Sequence, residues 1–235
     1  MNNILCTICA RGGSKGLKNK NIKKINSKPL IAYSIQQAIN SRIFKHVVVS
    51  TDSDEIANIA KSYGAEVFFK REKNLSNDKS GKLEVIKDAF KKSEKFFNIK
   101  FDYLVDLDAT SPLRLVSDIT ESFELFLKKN YNNLFSVCIA RKNPYFNLVE
   151  IDKNNKINLS KKHSKKYLTR QSSPLCYDMN ASIYIWKRNT ILNSNSLFLE
   201  NTGIYVMPEE RSIDIDNDFH FKIVEFLLSN EQYAK

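Results

Sequence analysis

The chain has 235 residues, of which 42% are hydrophobic and 11% aromatic, and its formal net charge at pH 7 is +11. This composition is typical of a packed globular protein and excludes an intrinsically disordered one, and no apolar run approaches the ~18–20 residues that cross a bilayer. The N-terminal segment has no basic residue before its short apolar run, which predicts a first β-strand rather than a signal peptide. We therefore expect a cytoplasmic protein that makes no membrane contact.

The positive charge has two interpretations. It attracts a phosphate-rich partner, either a nucleic acid or a small phosphorylated ligand, or it reflects lysines spread over solvated faces. The dense basic run KKHSKK at residues 161–166 lacks the interleaved aromatic residues of a base-stacking surface. We therefore expect no nucleic-acid partner.

Strand and helix patterns alternate from Ile4 to Ala140. Apolar or alternating runs predict strands at Ile4–Ala10, Val47–Val49, Val67–Phe69, Tyr103–Asp108 and Leu134–Ala140. Apolar residues at helical spacing predict helices from Pro29, with Leu30, Ile31, Ser34, Ile35, Ala38 and Ile39 inward, after a capping pair Asp52 and Glu55, over Leu83–Phe97, and over Ser117–Lys128. Strands joined by helical crossovers predict an α/β fold with a mostly parallel sheet flanked by helices.

The regular pattern stops at Arg141 and resumes after Arg170. The segment between them is rich in Lys, Asn and Ser, and such an interruption often serves as a subunit contact or a lid. Beyond it, Ala181–Trp186 and Thr202–Val206 predict strands, and Asn217–Leu228 predicts a closing helix. We expect one domain over residues 1–235, with an inserted element at about 141–170.

Cys6 and Cys9 form a C-x-x-C pair, a spacing compatible with zinc or redox chemistry. They lie in one predicted strand, where residues three apart point to opposite faces, and the sequence has no second such pair. Buried free thiols are the better interpretation.

The loop after the first strand, RGGSKGLKNKN at residues 11–21, has the composition of a phosphate-binding loop. Its glycines let backbone N–H groups approach phosphate oxygens, and Arg11, Lys15, Lys18 and Lys20 supply positive charge. It lacks the G-K-[ST] ending of a P-loop and the G-x-G-x-x-G pattern, and a solvated turn is the alternative. Because ligands bind beyond the carboxyl ends of parallel strands, we expect phosphate here.

Asp106 and Asp108 alternate at the end of the fourth predicted strand, so both point to one face. Paired acids there suit a magnesium ion or a sugar hydroxyl. The alternative is that one of them caps the following turn or pairs with Arg114.

Asp214 and Asp216 are a second pair, two residues apart in an extended segment. Adjacent carboxylates repel each other and need a cation, which predicts a Mg²⁺ site that bridges nucleotide phosphates. The competing interpretation makes Asp216 or Asp218 the N-cap of the last helix, and Asp218 fits that role better.

Several segments together resemble the acylneuraminate cytidylyltransferases, also called CMP-sialic acid synthetases, from Ile4 to about Phe221. The matching segments are A-R-x-x-S-K-G-L-x-x-K-N at residues 10–21, R with L-S-x-D at 71–78, TSPLR at 110–114, RQ at 170–171 with Asn180, and SIDID at 212–216. The joint order and spacing of these motifs carry the resemblance.

The resemblance implies a Rossmann-like nucleotidyltransferase that joins CTP to a nine-carbon acidic sugar with Mg²⁺, for surface-glycan or flagellin glycosylation. For the nucleotide it implies Arg11, Gly12, Gly13, Ser14, Lys20, Asn21, Arg71, Lys82 and Asn180, with Arg11, Lys20 and Asp214 in catalytic roles. For the sugar it implies Asp108, Thr110, Arg170, Gln171 and Tyr184, and for the metal Asp214 and Asp216. It also implies a homodimer in which the 141–170 element reaches toward the partner's site.

Two positions depart from the sialate branch of that family, which usually has Gln at the position of Asp108 and Ser at the position of Lys82. The motif LDATSPLR is similar to the corresponding motif of a bacterial branch that acts on legionaminic acid, a sialic-acid-like sugar. A carboxylate in place of an amide changes which hydroxyl or acylamino group is recognised. A legionaminic or sialic type of sugar is therefore expected.

Two other functions stay open at this point. One is another sugar nucleotidyltransferase, acting on an eight-carbon sugar acid of the Kdo type or on a hexose phosphate. The other is a basic RNA-binding module, which would show steep salt-dependent RNA binding without CTP binding. Nucleic-acid binding has no use for Asp214 and Asp216, so the paired acids favour the enzyme.

Overall fold

The computed structural model describes residues 2–14, 16–77 and 80–230. Its strands are β1 (Ile4–Cys9), β2 (Lys24–Ile25), β3 (Lys28–Pro29), β4 (His46–Ser50), β5 (Tyr103–Leu107), β6 (Asn133–Ile139), β7 (Val149–Ile151), β8 (Ile157–Leu159), β9 (Tyr177–Lys187) and β10 (Thr202–Val206). Its helices are α1 (Leu30–Ser41), α2 (Asp54–Ser62), α3 (Lys82–Phe97), α4 (Val116–Lys128), α5 (Arg188–Asn193) and α6 (Asp218–Ser229). None of these described helices has the length and apolar character to cross a membrane. Lys15 and Asp78, members of two predicted motifs, lie outside the described residues.

The central sheet has the strand order β10-β6-β9-β5-β1-β4. β1 pairs in parallel with β4 and β5, and β6 pairs in parallel with β10. β9 is antiparallel to both of its neighbours, β5 and β6. The predicted mostly parallel sheet is confirmed. Its parallel strands all end at one edge, so the segments that follow β1, β4, β5 and β10 meet there.

Apolar side chains cover both faces of this sheet. One cluster packs α1, α2 and α4 against it through residues such as Ile35, Ile56 and Phe126. The other packs α3 and α5 through Ile86, Phe90 and Ile191. Burial on both faces is why the central strands are apolar throughout rather than alternating. The predicted inward stripe of α1 is buried except for its last member, Ile39, which is 42% exposed.

The predicted strand Val67–Phe69 is wrong. Only Glu66 bridges Val48 of β4, as an isolated parallel pair. The ring of Phe68 instead stacks on Phe96 of α3, with centroids 4.1 Å apart. The chain leaves the sheet edge because its aromatic side chains pack against the helix.

Both predicted helix caps are displaced by one residue. The hydroxyl of Ser53, not Asp52, caps α2 by accepting from the backbone N–H of Ile56. The side chain of Asn217, not Asp218, caps α6 by accepting from the N–H of His220 at 2.9 Å. This leaves Asp52 available for a different contact, described below.

The irregular segment 141–170 contains the two-stranded antiparallel ribbon β7–β8, which is separate from the central sheet. Several of its large apolar side chains are exposed, among them Val149 (58%), Ile151 (70%) and Ile157 (72%). Exposed apolar surface of this kind is typical of interaction surfaces.

Candidate active site

The loop after β1 is held in shape by its own side chains and by β4. The backbone N–H of Gly12 donates to Asp52 Oδ1 at 2.9 Å, and Asn21 Nδ2 donates to the carbonyl of Arg11 at 3.0 Å. The backbone N–H of Ser14 donates to the carbonyl of Gly12 at 3.1 Å. Gly13 is exposed and has open space around its α-carbon. These hydrogen bonds hold the described part of the loop at Arg11, Gly12, Ser14 and Asn21.

The same loop touches the acidic segment that precedes α6. A Cβ atom at Gly16 would collide with the backbone carbonyl of Asp216, so only glycine allows this approach. The ammonium of Lys20 donates to the carbonyl of Ile215 and lies 3.3 Å from Asp216 Oδ1. The predicted phosphate loop and the predicted metal segment therefore face each other.

Between them lies a cavity of about 340 Å³. Its lining residues are Cys9, Arg11, Ser14, Gly16, Lys20, Asn21, Asp108, Thr110, Asp214 and Asp216. The structure thus brings together most of the predicted phosphate-binding and metal-binding side chains. The mixture of cations and carboxylates around a polar cavity suits a polyphosphate with a divalent cation.

Asp214 is fixed by the turn after β5. The hydroxyl of Thr110 contacts Asp214 Oδ1, and the N–H of Ile215 donates to the carbonyl of Thr110 at 3.0 Å. Burial, then the nearby Asp108 and Asp216 carboxylates, raise the pKa of Asp214 to about 6. This crowding of negative charge is what a bound cation would relieve.

Asp106 and Asp108 point to the same face, as predicted, and both meet Lys82. The ammonium of Lys82 lies 2.6 Å from Asp108 Oδ2 and 3.7 Å from Asp106 Oδ2. Burial opposes ionisation of Asp108, but Lys82 and the Thr110 hydrogen bonds outweigh it and lower its pKa to about 2. Burial would lower the pKa of Lys82, but the two carboxylates raise it above its ordinary value. Both carboxylates are therefore engaged in the sheet's own network.

Arg114 does not pair with either carboxylate. It is 1% exposed and donates to Ser182, to Ser34 and weakly to the backbone carbonyl of Asp108. Burial lowers the pKa of its guanidinium to about 10. Its role is to tie the turn after β5 to α1 and β9.

A second cavity of about 270 Å³ adjoins the first and shares Cys9, Arg11 and Asp108 with it. Its other lining residues are Arg71, Leu75, Asn77, Ser80, Lys82 and Val85. Arg71 is buried and donates through Nε to Ser50 Oγ at 3.0 Å.

Cys9 is only partly buried, against the prediction for this thiol, whereas Cys6 is buried and all four cysteines are free. Burial, with the Asp106 carboxylate, raises the pKa of Cys9.

A third cavity, of about 730 Å³, opens on the other side and shares Asp214 and Asp216. Asn180 lies in its wall, where the amide accepts from Ser136 at 2.6 Å and donates to Ser212 at 2.9 Å. These bonds hold an irregularity in the β6–β9 pairing and the start of the acidic segment together. The three cavities form one continuous cleft across the carboxyl edge of the sheet.

Three predicted sugar-binding residues are not gathered with the others. Arg170 donates to the carbonyl of Ala140 at 2.8 Å, and Gln171 is exposed on the inserted segment. Tyr184 is buried on β9, where its ring lies 4.3 Å below the ammonium of Lys82. Within one chain, neither Arg170 nor Gln171 lines any of the three cavities described above.

Sequence reasoning missed Asp52, Arg211 and His220. Arg211 forms a bidentate pair with the fully buried Asp118 and so ties the acidic segment to α4. His220 lines the largest cavity and accepts from the N–H of Asp216. The only signal for His220 was its position one helical turn after Asp216, which is too common a spacing to single it out.

A family model described as cytidylyltransferase matches residues 5–232 of the chain. A Campylobacter jejuni protein named CMP-N,N'-diacetyllegionaminic acid synthase is 58% identical over 97% of this chain and 96% of its own length. A Campylobacter coli protein named post-translational flagellin modification protein B is 54% identical over 98% of this chain and 97% of its own length. An N-acylneuraminate cytidylyltransferase from Escherichia coli is 34% identical over 94% of this chain and 51% of its own.

Among solved structures, CMP:2-keto-3-deoxy-manno-octonic acid synthetase complexed with CTP superposes with a TM-score of 0.68. It covers 97% of this chain and 99% of that one at 15% sequence identity. A likeness at that identity shows a shared fold. It confirms the predicted nucleotidyltransferase architecture.

Proposed function

The chain belongs to the cytidylyltransferase family and is a cytidylyltransferase, and from that premise we propose that it activates a nine-carbon sugar acid of the legionaminic acid type. CTP and the sugar acid would give a CMP-sugar and pyrophosphate. The observation that carries the proposal is the cavity in which Arg11 and Lys20 face Asp214 and Asp216. The names of the two Campylobacter relatives support the choice of sugar and a use in flagellin glycosylation.

In the reaction, the anomeric hydroxyl oxygen of the sugar attacks the α-phosphorus of CTP in line, the bond to pyrophosphate breaks, and the hydroxyl proton is lost. Arg11 and Lys20 bind the triphosphate and neutralise the charge that develops on it. Backbone N–H groups around Gly12, Gly13 and Ser14 add donors to the same phosphates. The cavity beside Arg71 and Lys82 then takes the ribose and base.

Mg²⁺ fits the carboxylates at Asp214 and Asp216. Within the described ranges no group of three or more His, Cys, Asp or Glu side chains is arranged to hold a metal. Magnesium is commonly held by one or two carboxylates plus substrate phosphates, so a two-carboxylate site is sufficient when CTP is bound. When bound, the ion would supply charge neutralisation and orientation of the phosphates.

The sugar would occupy the 730 Å³ cavity, with Asp108 and Thr110 at the boundary with the nucleotide. In one chain the walls of this cavity carry the carboxylates of Asp178, Glu209 and Glu210, and Arg141 is the only arginine or lysine among the described residues of the lining, so carboxylates outnumber cations around an acidic sugar. Arg170 and Gln171 fit the proposal if they come from the second copy of a homodimer. The exposed apolar ribbon β7–β8 supports such a contact between copies. We further propose that the dimer works in the cytoplasm, where CTP is available.

The test is pyrophosphate release from CTP and Mg²⁺ with sialic, legionaminic, pseudaminic and eight-carbon keto-sugar acids offered in parallel. We expect fast release with a legionaminic acid and slow release with the eight-carbon acid. Release with the eight-carbon acid alone would instead support the Kdo-type alternative. Release with none of them, despite CTP binding, would remove the sugar assignment and leave the nucleotide site. Size-exclusion chromatography with light scattering tests the dimer.

A further inference from the structure

Lys82 was predicted to bind the nucleotide, but its contacts point to a different role. Its ammonium donates to Asp108 Oδ2 at 2.6 Å and to the carbonyl of Ala181 at 3.3 Å. It also lies 3.7 Å from Asp106 Oδ2 and 4.3 Å from the ring centroid of Tyr184. An ammonium has three donors, and two of them are used by these protein acceptors, while the side chain remains 31% exposed at the edge of the second cavity.

The carboxylates around Lys82 need this one cation. Asp106 is fully buried; its Oδ1 accepts from Thr7 at 2.8 Å, and its Oδ2 has no hydrogen-bond partner. A positive charge between two neighbouring carboxylates at this depth stabilises their ionised forms against burial, which raises the pKa of Asp106. Lys82 is the first residue of α3, so the helix start is tied to the sheet edge at this point.

Asp108 passes this restraint on to the candidate metal ligand. While Oδ2 is held by Lys82, Oδ1 accepts from the N–H of Thr110 at 3.1 Å and from its hydroxyl at 2.7 Å. The same hydroxyl contacts Asp214 Oδ1. A continuous chain of contacts therefore runs from Lys82 through Asp108 and Thr110 to Asp214.

We infer that Lys82 is a positioning residue, which orients Asp214 for the divalent cation through Asp108 and Thr110 rather than by touching the nucleotide. The inference rests on the proposed function, since it takes Asp214 as a ligand of the metal–nucleotide complex. Residues that orient metal ligands are often as necessary as the ligands, because a carboxylate that rotates freely binds the ion less well. The two cavities on either side of Asp108 are thereby coupled.

Lys92 is a matched control on the same helix. It pairs with Asp88 at 2.9 Å and Glu72 at 3.3 Å, and it lies 5.0 Å from the ring centroid of Phe69. Lys92→Met therefore removes the same kinds of contact as Lys82→Met. Lys92 lines none of the three cavities of the cleft.

The experiment measures Mn²⁺ binding by electron paramagnetic resonance in the presence of saturating CTP, which needs no sugar turnover. Both variants are first checked for native circular dichroism. We expect Lys82→Met to weaken Mn²⁺ binding about tenfold, as loss of an orienting residue typically does, and Lys92→Met to leave it unchanged. In turnover assays the Mg²⁺ concentration for half-maximal activity should rise in parallel, with the KM for CTP changed far less.

A Lys82→Met protein that binds Mn²⁺ as the wild type does would overturn the inference, and a raised KM for CTP alone would return Lys82 to direct nucleotide binding. Thr110→Val interrupts the same series of contacts without changing any charge. It replaces Lys82→Met in the experiment if that variant does not fold. It should also weaken Mn²⁺ binding, and normal binding would show that the relay does not exist. A wild type that binds Mn²⁺ with CTP but turns over no nine-carbon sugar would overturn the proposed substrate and leave this inference standing.

Discussion

Lys20 Nζ lies 3.3 Å from Asp216 Oδ1, and this ion pair joins positions 196 residues apart in the chain. It closes the cavity between the loop after β1 and the segment before α6. Without ligand, the ammonium neutralises one carboxylate of the candidate metal pair. If CTP binds as proposed, the same ammonium would be available to a phosphate oxygen, and Asp216 would then be left to hold the proposed divalent cation.

Replacing Lys20 by alanine should therefore abolish turnover. We expect kcat/KM to fall by at least about a thousandfold, because a cation that would neutralise the charge developing on the transferring phosphate is lost. The change should leave the fold intact, since the Lys20–Asp216 pair involves an exposed carboxylate and contributes little stability. Pyrophosphate release and thermal denaturation measure the two effects.

Lys23→Ala is the matched control for this variant. Lys23 pairs with Asp218, the first residue of α6, at 3.1 Å and lies 4.2 Å from the ring centroid of Phe221. It lies outside the cavity. Turnover by Lys20→Ala that matched Lys23→Ala would contradict the role assigned to Lys20.

Gly16→Ala should damage both stability and activity. Its Cβ would collide with the backbone carbonyl of Asp216, which cannot swing aside as the end of a flexible side chain would. We expect a loss of about 1–3 kcal/mol in the free energy of unfolding, typical of overpacking. Gly13→Ala has open space at its Cβ and should unfold at the wild-type urea concentration. Equal midpoints for the two variants would show that the loop and the acidic segment do not touch.

The sequence predicted which side chains gather around one cavity better than it predicted the sheet's edges. Arg11, Lys20, Asp214 and Asp216 were found because glycines, cations and paired acids followed predicted strands, and the ends of parallel strands meet. The segment at Val67–Phe69 was misassigned because a short apolar run looks the same whether it pairs with a strand or packs against a helix. The antiparallel direction of β9 was not predicted either, because alternating apolar and polar residues indicate a strand but not its direction in the sheet.

The role of Lys82 was not predictable from spacing either. It follows only from tertiary contacts with Asp106, Asp108 and Tyr184, which lie 24 or more positions away in the chain. Arg170 and Gln171 lie outside the cleft of one chain, and only the proposed second copy would bring them to it. The homodimer thus stays a prediction.

Arg211→Met should destabilise the protein and weaken its metal response. Its guanidinium pairs with Asp118, whose side chain is fully buried, at 2.8 Å and 3.0 Å. Removing it leaves that carboxylate without a cation, although Leu115 N–H and the Tyr205 hydroxyl still donate to it, at a cost of about 3 kcal/mol. Because Arg211 also anchors the segment that carries Asp214, the Mg²⁺ concentration for half-maximal activity should rise as well. Urea unfolding and Mg²⁺ titrations measure the two effects.

Arg188→Met is the comparison for Arg211→Met. Arg188 forms a similar bidentate pair with Glu94, at 2.7 Å and 2.9 Å, away from the cleft. It should cost less stability, since Glu94 is partly exposed, and leave the Mg²⁺ titration unchanged. A shifted Mg²⁺ titration in Arg188→Met would mean that the response reports stability rather than the anchoring of Asp214.

The metal-free protein should be destabilised by the charge on Asp214. The charged or titratable groups around it are Asp108, Asp216, Lys20, Tyr184 and His220. Burial and the carboxylates raise its pKa from 3.8 to about 6. A raised carboxyl pKa means that the folded state binds the proton more tightly than the unfolded state. The protonated carboxyl therefore contributes its full stabilisation of the fold below pH 3.8, and this stabilisation is lost as the pH rises through about 6.

Asp214→Asn, which cannot ionise, should therefore unfold at a higher temperature than the wild type at pH 8 in EDTA. The gain should correspond to roughly 1–2 kcal/mol, after allowance for partial exposure of the side chain. At pH 4 the gain should disappear, because the wild-type carboxyl is then protonated in the folded state. Scanning calorimetry at the two pH values measures the difference, and a gain that is the same at both would show that the charge on Asp214 is not its source.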